Sequence, residues 1–134
     1  MIFRSIKALL FALLSMPVLV WAQVCVEDQS GQQLCLPEPA QRIATLSPGA
    51  TELTFAAGAG RKVVAGVNHN DYPPAALKLP GVGTHTKADV VALLALQPDL
   101  VITWVTGNPP AQVEMLQALG LPLFAIEPRS FAEV

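Results

Sequence analysis

The sequence predicts an α/β protein in which a parallel sheet flanked by helices follows a small disulfide-bonded β-hairpin. Three observations lead there. Short, wholly apolar runs alternate with helix-length segments, as strands buried on both faces of a parallel sheet require. Capping residues and prolines open the helical segments, and glycines close them. Two cysteines, Cys25 and Cys35, bracket a turn-forming stretch just behind an export-type leader.

The leader comes first in the chain. Arg4 and Lys7 give it a basic start, residues 8–20 run almost without a polar group, and Val20-Trp21-Ala22 ends in a small residue. That layout is a secretory signal peptide over residues 1–22, with Gln23 opening the mature chain. The apolar stretch of 13 residues is short of the roughly 20 that a spanning helix needs. An uncleaved anchor is the competing reading. A lipoprotein is disfavoured, because Gln23 and Val24 stand before Cys25.

Residues 23–36 form the hairpin. Asp28, Gln29, Ser30 and Gly31 are turn formers, and a turn there sets residue 25 opposite residue 35. In an oxidising compartment the two cysteines pair, and no companion ligands stand near them to suggest a metal site.

Residues 37–134 carry the α/β lobe. Leu36-Pro37-Glu38-Pro39 is a stiff linker. Arg42-Ile43-Ala44-Thr45-Leu46 is a buried strand, and Ser47-Pro48 is an N-cap followed by proline, starting a helix that Gly58 ends. Residues 63–67 make the second strand, and a long loop follows to Gly83. Asp89 caps a helix over residues 90–96 that Pro98 closes. Leu100-Val101-Ile102-Thr103-Trp104 is the third strand. Asn108-Pro109 repeats the cap-and-proline device before a helix that ends at Gly120, and residues 121–126 are the fourth strand. Ser130-Phe131-Ala132-Glu133 starts another helix signal, so the chain is expected to be the front part of a longer protein.

Charge excludes one class of partner. Of the eight bases, two lie in the leader, and none of the ten acids does, which leaves six against ten, a net −4. A nucleic-acid partner would need a basic face. Enzyme templates are also missing: there is no Gly-x-Ser-x-Gly, phosphate-cradling glycine loop or His-Glu-x-x-His, and paired cysteines leave no thiol nucleophile. A binding protein without catalytic residues and without a metal site of its own is expected.

Ligands of open parallel sheets bind outside the carboxyl ends of the strands. Those ends carry His69 and Tyr72 after the second strand, and Trp104 to Asn108 after the third, while His85 stands in the glycine-rich approach to the second helix. A flat ligand would find an aromatic face in Trp104 and polar partners in the histidines. Each has a plainer reading: Trp104 capping the core, His69 tying its own loop, Tyr72 packing.

Several motifs resemble one family. Arg42-Ile43-Ala44-Thr45-Leu46-Ser47-Pro48 with Thr51-Glu52-Leu53 and Phe55-Ala56-Ala57-Gly58, then Asp71-Tyr72-Pro73-Pro74, then Leu93-Leu94-Ala95-Leu96-Gln97-Pro98-Asp99-Leu100-Val101-Ile102 with Trp104 and Gly107-Asn108, are similar to cobalamin-type periplasmic solute-binding proteins. These motifs run in order through residues 42–134. The resemblance implies two Rossmann-like lobes joined by a long helix, of which this chain supplies the first, and a ligand held between them. It implies a cobalamin or similar metal chelate as transported ligand, delivered in the periplasm to the membrane permease of an ABC importer.

Carried over residue by residue, the resemblance makes Trp104 a contact for the corrin ring. His69 stands where a tyrosine is found and His85 where a tryptophan is found, so an imidazole that can hydrogen-bond or ligate metal replaces an apolar face at both. Val91 stands where the family places a permease-docking glutamate, and Asp89 is the nearby acid left for docking. Two alternatives stay open. One is a receptor for a ferric siderophore or haem, disfavoured by the few cations near the site, Arg129 and Lys87. The other is an exported sensor or interaction domain without transport.

Overall fold

The computed structural model describes residues 23–130; the signal-peptide reading and the helix signal after Ser130 lie outside them. Two strands, β1 (Val24–Glu27) and β2 (Gln33–Leu36), pair antiparallel with Cys25 opposite Cys35, and the two cysteines form a disulfide. Gly31 takes φ +81 in the turn, a conformation open to glycine at little cost.

The lobe runs β3 (Ile43–Thr45), α1 (Pro48–Ala56), β4 (Val63–Ala65), α2 (Val90–Ala95), β5 (Leu100–Trp104), α3 (Pro110–Ala118) and β6 (Leu123–Ile126). The four strands β3 to β6 are parallel in the order β4-β3-β5-β6. The central β3 is buried at all three positions, as a strand hydrogen-bonded on both sides should be. Two of the three caps read from the sequence are present. Ser47 accepts from Ala50 N–H at 3.1 Å, and Asp89 accepts from Ala92 N–H at 3.0 Å.

The third is a correction. Asn108 does not cap α3, which begins at Pro110 behind Pro109 with no side-chain cap. Its side chain turns into the protein, where three backbone groups compete successfully for it. The outer strands are also shorter than expected. β4 stops at Ala65, because the next residue, Gly66, pairs with Gly81, and β6 starts only after Pro122, which has no N–H to give.

Alternation along the strands separates two faces. Ala44, Ala65 and Val101 point to one side, where Leu93 of α2 and Leu116 of α3 complete a core of fully buried side chains. Ile43, Leu100, Ile102, Phe124 and Ile126 point to the other side, where α1 is the one helix among the described residues. Coverage of that face is therefore less than the sequence led us to expect. The hairpin residues Val24, Val26, Leu34 and Leu36 form its far wall, leaving an apolar groove of about 440 Å³.

The hairpin also seals an edge. Gln29 N–H donates to Ala125 O at 3.0 Å, Ala125 N–H donates to the Asp28 carboxylate at 3.0 Å, and Glu127 N–H donates to the Gln29 side-chain oxygen. These bonds occupy backbone groups that the free side of β6 would otherwise leave for another chain.

Candidate functional site

All four strands of the lobe point their carboxyl ends at one rim, and Trp104 is the last residue of β5 there. Its half-buried indole lies across Gly107. A Cβ at that glycine would stand 1.8 Å from the indole Cε3, so any larger residue displaces the ring. Gly107 and Asn108 N–H both return to Trp104 O, at 3.2 and 2.9 Å, folding a tight turn beneath the indole.

Asn108, 3% exposed, holds this turn to the rest of the rim. Its Oδ1 accepts from Trp104 N–H at 2.6 Å, and its Nδ2 donates to Leu46 O at 3.0 Å and to His85 O at 2.8 Å. Gln112 of α3 adds a second donor to His85 O at 3.3 Å and accepts from Ala88 N–H at 2.7 Å. Side chains from two segments thus fix the backbone at His85 while its imidazole stays exposed. That ring lies 6.0 Å from the Trp104 ring, tilted by 46°.

A cavity of about 350 Å³ opens beside the indole, lined by Ser47, Pro48, Gly49, Ala50, Trp104, Ile126 and Pro128. It joins the start of α1 to the ends of β5 and β6. Glu127 stands between two of its lining residues and accepts from the Thr106 N–H at 3.0 Å and the Thr106 hydroxyl at 2.9 Å. Desolvation opposes its charge, but the Thr106 donors and Arg129, 3.7 Å away, outweigh that and hold the carboxyl below the usual glutamate range. At Asp28 burial likewise opposes the charge. Hydrogen bonds from Ser30, Gln32 and Ala125 prevail and lower its pKa too.

The structure thus brings His85 and Trp104 together, with Asn108 behind them as the group that positions both. His69 is elsewhere on the rim. It sits exposed on the turn after β4, and the ring contact found among the described residues does not include it. That turn hangs from Asn70, whose Oδ1 accepts from Thr51 Oγ1 and whose Nδ2 donates to Val67 O, both at 2.9 Å. Tyr72, 63% exposed, is not packed into the lobe. Asp89 is exposed and engaged as the α2 cap, and Val91, the second residue of the helix, is 80% exposed.

Sequence reasoning missed what two carboxylates hold. Asp28 showed only as a turn former and Glu127 only as a residue after a strand, since their partners lie 97 and 21 residues away in the chain.

Comparison with known proteins identifies the family and the fold. Residues 43–134 match the periplasmic binding protein family. The chain is 42% identical over 101 residues to the vitamin B12-binding protein of Vibrio cholerae, covering 75% of this chain and 37% of that protein. The crystal structure of the periplasmic vitamin B12 binding protein of Vibrio cholerae superposes with a TM-score of 0.68 at 42% identity, over 72% of this chain and 38% of that one. A periplasmic haem-binding protein from Roseiflexus superposes with a TM-score of 0.59 at 32% identity, over 64% and 33%. The chain spans a little over a third of the length of the curated relatives it matches.

Proposed function

We propose a function from one premise: this chain belongs to the periplasmic binding protein family. It is the first lobe of the solute-binding component of an ABC importer, exported on residues 1–22 to the periplasm. It captures cobalamin or a related corrinoid against Trp104 and His85 and delivers it to a membrane permease. The observation that carries this reading is the aromatic–imidazole pair on the rim, whose indole also lines the rim cavity. A flat ring can stack on the open part of a half-buried indole, and an exposed imidazole beside it meets the polar edge or the metal of such a ligand. The vitamin B12-binding relatives support the choice of ligand.

A haem receptor is the second reading, favoured by the haem-binding structural relative and by an imidazole at the rim. Docking to the permease would use the exposed start of α2, where Asp89 is the nearest acid to Val91.

Titration of the full-length mature protein, of which residues 23–134 alone are expected to bind only weakly, with vitamin B12, haemin and a ferric siderophore tests the proposal. Vitamin B12 is expected to bind in the micromolar range or tighter, and Trp104→Ala to weaken it by roughly 10- to 100-fold, the loss expected for a buried aromatic anchor. Binding of haemin with no response to vitamin B12 would transfer the assignment to the second reading.

A further inference from the structure

We propose that the disulfide-closed hairpin is a positioning element of the ligand rim, acting through Gln29 and Glu127 on the turn that supports Trp104. This deepens the proposed function and rests on it for the identity of the ligand.

The connections are continuous. Cys25–Cys35 closes the hairpin opposite its turn. Inside that turn the Asp28 carboxylate accepts from Ser30 N–H and Gln32 N–H, both at 2.9 Å, and from the Ser30 hydroxyl at 2.7 Å, so the turn has a fixed shape. The turn grips β6 through Ala125, on both its N–H and its C=O, and grips Glu127 through its N–H. The residues flanking Glu127, Ile126 and Pro128, are the two that line the rim cavity on this side. From the opposite side of the same segment, the Glu127 carboxylate holds Thr106 by its N–H and its hydroxyl. Thr106 directly precedes Gly107, the residue under the indole.

Ala125 is the β6 residue that the hairpin turn holds by both N–H and C=O. The grip then continues past the strand's end at Ile126 to the N–H of residue 127. The extra bond fixes a cavity wall and, through Glu127, the indole's support. Gln29 is therefore a positioning residue, as is Glu127; neither is assigned a ligand contact.

The test uses the full mature protein in three forms: unaltered, Gln29→Ala, and Cys25→Ser with Cys35→Ser. Vitamin B12 affinity and acrylamide quenching of Trp104, taken as the difference from Trp104→Phe, are measured in each. Both altered forms are expected to lose about 3- to 10-fold in affinity and to show faster quenching, while far-ultraviolet circular dichroism is unchanged. Gln33→Ala, an exposed change on β2 away from the rim, should move neither. Unaltered affinity and unaltered quenching in Gln29→Ala would overturn the proposal, whatever the cysteine variant does. Should no form bind vitamin B12, the functional reading fails, and the quenching of Trp104 alone decides the clamp.

Discussion

At the β5 end of the rim a buried asparagine, Asn108, ties the exit of its own strand to the exit of β3 and to the loop bearing His85. At the β4 end another buried asparagine, Asn70, ties its own loop to Thr51 of α1 and reaches no other loop of the rim. Both side chains are spent on the protein, yet only the first draws candidate ligand contacts together. The β5 end is further braced by two carboxylates, Asp28 and Glu127, whereas the bonds at the β4 end are made by neutral amides and hydroxyls. Position on a strand's carboxyl end is thus not enough to bring rim loops together. At the β5 end a buried group that links a loop to its neighbours does so.

The largest break in this contrast should come from Asn108→Ala. It leaves Trp104 N–H without its acceptor and Leu46 O without a donor in a region closed to water, at about 1–3 kcal/mol for each unsatisfied group. A loss of roughly 3 kcal/mol in urea unfolding is expected, together with loss of ligand binding. Asn70→Ala, which frees fewer groups, should cost about half as much and leave the Trp104 environment as it is. Equal costs and equal effects on Trp104 fluorescence would erase the distinction.

That hierarchy also explains what the sequence could reveal. The caps Ser47 and Asp89 were legible because cap and recipient are three residues apart. Asn108 gave the same local signal, an asparagine before proline, but its partners at Leu46 and His85 are 62 and 23 residues away. Local pattern cannot weigh a cap against a tertiary bond, and here the tertiary bonds won. The strand pattern set Trp104 at the end of β5 and His69 in the loop after β4, while His85 was read in the approach to α2. Which imidazole meets the indole depended on Asn108 and Gln112, and that was not legible.

Acid should separate the two ends by a smaller margin. Asp28 and Glu127 both have lowered folded-state pKa values, so what their ionisation contributes is present above the ordinary carboxylate range and is lost as pH falls through the depressed values. Hydrogen exchange in the native state should therefore rise first at Ala125 and Thr106, whose N–H groups donate to these carboxylates, once pH drops below about 4. Val67 and Asn70 at the β4 end should stay unaffected over the same interval, after correction for intrinsic exchange. Simultaneous loosening of both ends would mean that the carboxylates brace the whole lobe rather than one side of its rim.

The histidines give the finest test. Replacing exposed His85 or His69 by alanine removes no buried hydrogen bond of the side chain, so each should change stability by no more than about 0.5 kcal/mol. Binding should tell them apart. His85→Ala is expected to lower vitamin B12 affinity by about 3- to 10-fold, because its ring stands beside the indole on a backbone that two amides hold still, a contact formed with little entropy left to lose. His69→Ala should stay within about 2-fold, since no link like Asn108 carries that turn toward Trp104. If His69→Ala weakened binding as much as His85→Ala, the ligand would have to bridge both ends of the rim, and a footprint set by the Asn108 linkage alone would be too small.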